Sequence, residues 1–214
     1  MPDFTVVIGS RQWSSWSMRP WLVLRQTGAS FDEVVLQHRT AAGKAEAAAL
    51  GPTGLVPLLI DRRTQVPVKV WDSMAICEYL AECYPDRGLW PSDRVARATA
   101  RSISAEMHSG FRPMRMALAM DLFEHFPGAG LDEPGVAEDI ARIDAIFRDC
   151  RTAFGLGGPY LFGHRTIADA MYAPVVSRFR TYAPELSELA AEYVATMLAD
   201  EGFMAWEDAA RREL

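Results

Sequence analysis

Between Pro85 and Pro91 two prolines and a glycine fall within seven residues, and the hydrophobic pattern differs in kind on the two sides of that stretch. Proline removes a backbone donor and pushes the residue before it out of the helical region, so periodic structure is expected to stop there. Upstream, short β-branched runs alternate with helical stretches. Downstream, every periodic stretch has helical spacing. The chain is therefore expected to fold as a mixed α/β domain over residues 1–84, a linker over 85–91 and an all-helical domain over 92–214.

The upstream part is a short menu of elements. Phe4–Gly9 is β-branched and ends on glycine, so it reads as a strand. A helix is expected from about Ser15–Ser17 to Thr27, with Gly28 as its stop and Pro20 in the first turn if Ser17 is the cap. Phe31–Gln37 alternates as a second strand, and the Ala-rich Gly43–Leu50 favours a helix. Leu55–Ile60 and Pro67–Trp71 are two strands separated by a polar turn, which suggests a hairpin. Asp72-Ser73 then starts a helix that runs to about Tyr84. A βαβα segment implies a parallel pair and a ββα segment an antiparallel one, hence a mixed four-stranded sheet.

Downstream, Ser92–Asp121 reads as one long helical pattern with a kink at Pro113. Val136–Phe154 carries a helical stripe at Val136, Ile140, Ile143 and Phe147. Thr166–Arg180, Leu186–Ala199 and Phe203–Arg212 complete the helices, and Pro127–Pro134 and Gly155–Gly163 are loops.

Composition narrows the functional classes. The net charge of -6 argues against a basic surface for nucleic acid. Cys77, Cys83 and Cys150 are odd in number and irregular in spacing, which suits a reducing compartment and not a disulfide framework. No apolar run reaches the ~18–20 residues that span a bilayer. The N-terminus lacks the basic flank and apolar core of a signal peptide. A cytoplasmic protein with no membrane partner is expected. The histidines show no metal-ligand spacing, so no metal is expected.

The stretch Arg11–Pro20 carries the chemistry. It leads from the first strand into a helix N-terminus, where unpaired N–H groups and a partial positive charge favour an anion. A hydroxyl of Ser14 or Ser15 placed there can donate to a thiolate and lower the pKa of a thiol that is otherwise mostly protonated at neutral pH. The same serines can also serve simply as helix caps.

Three further segments carry a resemblance: Val56-Pro57, Asp72-Ser73-Met74-Ala75-Ile76-Cys77-Glu78-Tyr79-Leu80, and Thr166-Ile167-Ala168-Asp169. Together with the two-part architecture they resemble the cytosolic glutathione transferases over nearly the whole chain. Ser14-Ser15-Trp16-Ser17-Met18-Arg19 is similar to the serine-type zeta and tau classes. A serine five residues before arginine selects Ser14; the spacing of four found in other serine-type classes selects Ser15. That stretch and Met107-His108-Ser109-Gly110-Phe111-Arg112 are also similar to a group of bacterial transferase-like proteins.

The resemblance implies a thioredoxin-like N-terminal domain, an all-α C-terminal domain, a homodimer, glutathione as co-substrate, and a role in detoxification. It implies that Val56, before a cis Pro57, pairs with the glutathione main chain, and that Asp72 and Ser73 meet the γ-glutamyl ammonium and carboxylate. His38, Arg39 or Lys44 would meet the glycyl carboxylate. Met107, Phe111, Arg112 and Met114, with Arg115, would face a small electrophile, although a Met/aromatic stripe at this spacing also suits a core. Thr166 and Asp169 would be structural.

The expected function is thiol activation for attack on an electrophile. A zeta-type maleylacetoacetate isomerase is the specific alternative, although aligning on Pro174 puts Thr181 where that class carries an arginine. A non-catalytic binding protein on the same fold is the alternative of a different class.

Overall fold

The computed structural model describes residues 1–37 and 39–214. Its backbone divides into two units, Met1–Arg87 together with Ala205–Leu214, and Gly88–Met204.

In the first unit the elements follow in the order β1 (Phe4–Gly9), α1 (Ser15–Thr27), β2 (Phe31–Leu36), α2 (Ala41–Leu50), β3 (Leu58–Asp61), β4 (Val68–Trp71) and α3 (Ser73–Cys83), closed by a 3-10 turn at Pro85–Arg87. The sheet order is β2-β1-β3-β4, with β1 parallel to β2 and antiparallel to β3, and β3 antiparallel to β4. The mixed four-stranded sheet is the one the strand pattern predicts. Val7 of β1 stands opposite Val34 and Leu58, and joins Leu36, Ala47 of α2, Leu58 and Ile60 in one buried cluster. Val6 and Ile8 point to the other face by strand alternation and are equally buried, as are Met18, Leu22 and Leu24 of α1 and Ile76, Cys77 and Leu80 of α3. α1 and α3 pack against each other.

α1 starts at Ser15, within the expected Ser15–Ser17, with Ser14 and not Ser17 at the cap position, so Pro20 lies inside the helix and not in its first turn. The N–H that Pro20 lacks would have met the carbonyl of Trp16, close enough to the helix start that the ladder beyond it is intact.

One ion pair ties β3 to the turn that follows it. Asp61, 1% exposed in its side chain, accepts from Arg63 Nη2 at 2.6 Å, from the Arg63 main-chain N–H at 2.9 Å and from Tyr79 Oη at 2.8 Å. Hydrogen bonding from Arg63 holds the carboxyl at about 2, below its ordinary 3.8. The folded value is the lower one, so the contribution to stability is complete above the unfolded value of ~4 and is lost as pH falls through about 2. In urea melts, the gap between wild type and Asp61→Asn is expected to be constant from neutral pH down to ~4 and to shrink below it. A gap independent of pH down to ~2 would contradict this.

The second unit is helical: α4 (Arg94–Ser109), α5 (Arg112–Ala117), α6 (Val136–Phe154), α7 (Ile167–Tyr182), α8 (Glu188–Leu198) and the start of α9 (Glu201–Arg211). The single kinked helix expected over Ser92–Asp121 is instead two helices. α4 ends at Gly110, Phe111 takes a left-handed conformation (φ 55°), and Pro113 sits in the first turn of α5. Proline at that place needs no donor, whereas continuing α4 through it would have cost a hydrogen bond and a clash.

α7 is the centre of this unit. Every residue of it except Arg180 is buried, as a helix surrounded by others must be. Phe147 of α6 packs its ring edge-on to Tyr172 of α7 at 5.3 Å and against Tyr193 of α8 at 4.6 Å. At its N-terminus, fully buried Asp169 accepts from the Thr166 N–H (2.8 Å), the Leu161 N–H (3.1 Å) and the hydroxyls of Thr166 and Tyr193 (both 3.1 Å). Burial pushes its carboxyl above the ordinary value, and these donors oppose the rise.

The C-terminal half of α7 holds an irregular strip, residues 118–122, by its main chain. Arg178 Nε donates to the Leu118 carbonyl at 2.7 Å, Tyr182 Oη to Ala119 at 3.0 Å, Thr181 Oγ1 to Asp121 at 3.1 Å and Arg180 Nη2 to Leu122 at 2.9 Å.

Candidate functional site

The first unit builds its site from the end of β1. The chain leaves Gly9 and turns back on Ser10, whose carbonyl accepts from the Trp13 N–H (3.3 Å) and the Ser14 N–H (2.9 Å). That turn sets Ser14 at the cap position of α1. Ser14 does not cap: its side chain makes no hydrogen bond to the first-turn amides. Its Oγ lies instead 2.7 Å from Ser17 Oγ, and Ser17 Oγ accepts from the Gly9 N–H at 3.1 Å. The helix N-terminus is thus left without a side-chain lid, which keeps its positive end available to a ligand.

Above it lies a cavity of about 580 Å³, within the ~300–1,000 Å³ typical of small-molecule sites. Trp13, Ser14, Ser15 and Trp16 form one wall, Lys44 and Ala48 of α2 a second, and Gly54, Leu55 and Val56 a third. Lys44 brings a cation to an otherwise mostly apolar lining. Arg39 stacks over the ring of Trp13, 4.7 Å from its centroid. His38 lies outside the described residues.

Of the residues named from sequence, Ser14, Ser15, Lys44 and Val56 come together on this cavity. The Val56–Pro57 peptide is cis. β3 is an interior strand, not an edge, but its pairing begins at Leu58, so the main chain of Val56 stands outside the ladder. Pro57, Asp72 and Ser73 do not line the cavity. Asp72 caps α3, its Oδ1 accepting from Met74 (2.9 Å) and Ala75 (3.2 Å), from a backbone with φ 73°. Such a conformation on a non-glycine costs of order 1–3 kcal/mol and persists only where the surrounding structure holds it. Beside it, the Ser73 hydroxyl is buried with no hydrogen-bond partner among the described residues, an unmet group of the kind a ligand completes.

In the helical unit the expected electrophile-facing set divides. Met107 and Met114 are fully buried and Phe111 is 7% exposed, so these three are core in this structure, while Arg112 is exposed. The apolar spacing is that of a buried face, and after the break at Gly110 the methionine of α5, Met114, packs inward.

Residues 13–83 match the model of the glutathione S-transferase N-terminal domain, and residues 133–212 that of its C-terminal domain. The chain belongs to the glutathione S-transferase family. It is 27% identical over 177 residues to a probable maleylacetoacetate isomerase of Caenorhabditis elegans, covering 81% of this chain and 77% of that one. A crystal structure of a glutathione transferase homolog from Burkholderia (BGR1) with bound glutathione superposes with a TM-score of 0.70 at 22% identity, covering 98% of each chain. A maleylacetoacetate isomerase from Anaeromyxobacter dehalogenans 2CP-1 with bound glutathione superposes with a TM-score of 0.69 at 24% identity, covering 96% of each.

Two features of this transferase were not read from its sequence. One is Ser17, whose hydroxyl touches that of Ser14. The other is the seat of the Ser10–Ser14 turn. Arg11, 3% exposed, pairs with both Glu33 and Glu213; the Glu213 carboxylate also accepts from the Arg11 N–H at 3.0 Å, and Trp206 Nε1 donates to the Arg11 carbonyl at 3.1 Å. Trp206 in turn packs edge-on to Trp21, 5.2 Å between centroids. The tryptophan content and the buried-face spacing of α9 were the available signals, but no local pattern links position 11 to positions 195 and 202 residues away.

Among the described residues none of the transferase's own thiols lines this cavity. Cys77 and Cys150 are buried, and burial pushes the Cys77 thiol far up and that of Cys150 to about 12. Cys83 is half-buried, with Arg63 Nη2 donating to its Sγ at 3.1 Å. A thiol reagent is expected to modify Cys83 alone in the folded chain and all three cysteines in denaturant, as read by mass spectrometry. Rapid native labelling of Cys77 would contradict the burial.

Proposed function

We propose that the protein is a glutathione transferase that binds glutathione in the Ser14 cavity and activates its thiol for attack on a small electrophile. The observation that carries this is Ser14: a cap-position serine that makes no bond to the first-turn amides and, with Ser15 at the N-terminus of α1, lines a cavity of ligand size. Lys44 suits the glycyl carboxylate, the main chain of Val56 the cysteinyl peptide, and Asp72 and Ser73 the γ-glutamyl end. Stabilised by a hydrogen bond and the helix terminus, the thiol gives up its proton to solvent. The thiolate's electron pair then forms a carbon–sulfur bond with the electrophile, and a leaving group departs with its own pair.

Isomerisation is the second reading, favoured by the maleylacetoacetate isomerases among the relatives. There the thiolate would add to an activated double bond, the bond would rotate, and elimination would return the thiolate. Thr181, in the position of that class's arginine, spends its hydroxyl on the carbonyls of Asp121 and Ser177, and Arg178 and Arg180 bond to main-chain carbonyls. Another residue would have to hold the substrate's acid group. A cytoplasmic homodimer acting in detoxification agrees with the family resemblance.

The test is retention on immobilised glutathione, followed by turnover of an aryl halide and of maleylacetoacetate. Retention with halide release supports conjugation, and turnover of maleylacetoacetate alone supports the isomerase. A folded protein that neither binds nor turns over either substrate overturns both readings and leaves the non-catalytic one.

A further inference from the structure

Resting on the reading of Ser14 as donor to the glutathione thiol, we infer that Ser17 is a positioning residue: it hands its hydroxyl proton to Ser14 Oγ, which fixes the Ser14 proton toward the cavity. The argument is one of satisfying buried groups. Ser17 is fully buried, and its Oγ has two neighbours within hydrogen-bond distance, the Gly9 N–H at 3.1 Å and Ser14 Oγ at 2.7 Å. The Gly9 N–H can only donate, so it occupies a lone pair of Ser17. Among the described residues the Ser17 hydrogen then has one acceptor within reach, Ser14 Oγ. The Ser14–Ser17 contact also fits Ser14 as the donor, but the Ser17 hydrogen would then be buried with no partner among the described residues, which is unfavourable.

With that direction set, Ser14 accepts from Ser17, and its own hydrogen must find an acceptor elsewhere. Ser14 lines the cavity, and a thiolate seated there is such an acceptor. The donors then run in one sense: Gly9 N–H to Ser17, Ser17 to Ser14, Ser14 to sulfur. Each bond in an aligned run polarises the next, so Ser14 becomes a better donor to an anion than a lone serine would be. The run starts on a main-chain amide at the end of β1, which cannot rotate away. Ser15, half-buried at the first position of α1, has no such supporting donor among the described residues. The same geometry therefore selects Ser14 over Ser15.

The experiment reads the ionisation of bound glutathione by the ultraviolet absorbance of its thiolate as pH is varied. It compares wild type, Ser14→Ala, Ser17→Ala, Ser17→Thr, Ser17→Cys and the double alanine variant, with glutathione affinity and thermal melting measured alongside. Ser17→Ala is expected to raise the midpoint by roughly 0.5 to 1 pH unit while affinity stays within about threefold of wild type. Ser17→Thr, which keeps the hydroxyl, restores the wild-type midpoint, and Ser17→Cys, a weak donor, falls between. In the Ser14→Ala background Ser17→Ala adds no further shift, because the run is already cut.

A folded Ser17→Ala protein with a wild-type midpoint overturns the inference. So does a shift that persists in full when Ser14 is already alanine. If Ser17→Ala does not fold, Ser17→Cys decides, and a wild-type midpoint there overturns the inference equally. Should Ser14→Ala itself leave the midpoint unmoved, it is the assignment of Ser14 that fails, a result distinct from one in which Ser14→Ala shifts the midpoint and Ser17→Ala does not.

Discussion

Replacing Ser14 by alanine is expected to lower turnover of glutathione with an aryl halide by roughly 10- to 100-fold at neutral pH, the worth of a hydrogen bond to a charged group of ~1.5–3 kcal/mol. The loss should appear in kcat/KM for the electrophile and shrink as pH rises, because above the free-thiol pKa of ~8.5 the thiolate forms without help. The KM for glutathione should change little, since in the proposed function the serine meets only sulfur and other groups hold the peptide ends of glutathione. The protein should stay folded: Ser14 makes no capping bond whose removal would fray α1. A pH–rate profile over neutral to alkaline pH is the measurement. If the profile is unmoved by Ser14→Ala but moved by Ser15→Ala, the half-exposed neighbour is the donor, and the assignment made from the Ser14–Ser17 contact is wrong.

Replacing Asp169 by alanine is expected to cost the largest share of stability of any single change considered for this chain, about 3–5 kcal/mol, or a fall in melting temperature of roughly 10 °C. The carboxylate gathers two main-chain N–H groups and two hydroxyls at a fully buried helix start. Without it the amides of Leu161 and Thr166 are stranded in the interior, and α7, around which α4 and α8 pack, loses its N-terminal anchor. Asp169→Asn keeps one acceptor oxygen but presents an NH2 to donors, so it should lie between alanine and wild type. Calorimetry or denaturant titration reads the effect, and a loss below ~1 kcal/mol for Asp169→Ala would show that the interior relaxes around the gap.

Most of the architecture was legible because it is written in local pattern. The β-branched run Phe4–Gly9, the glycine stop after Thr27 and the polar turn between the strands at Leu58 and Val68 each decide a local conformation without help from elsewhere. The errors are of a different sort. Pro20 fits a first turn only if Ser17 is the cap; the helix starts at Ser15, and packing tolerates the proline deeper inside. Pro113 was read as a kink, where the chain breaks three residues earlier at Gly110 and reuses the proline as a starter. For the candidate site, residue types and spacing pointed to the Ser14–Ser15 pair but not to which hydroxyl is supported. That is decided by an amide at Gly9 and a side chain one helical turn on. The seat of the turn was hidden for a plainer reason: Arg11 meets Glu33 and Glu213, 22 and 202 positions along the chain, and charge pattern carries no signal at that range.

The strip at residues 118–122 has a consequence for change over time. Side chains of α7 grip it by carbonyl oxygens, which every amino acid supplies alike. Leu118, Met120 and Leu122 turn inward and are committed to packing, but Ala119 faces outward. Its identity does not enter the grip at all. A drifting lineage, or a library built at that position, can therefore rewrite the outward face of the strip while its path stays where α7 holds it.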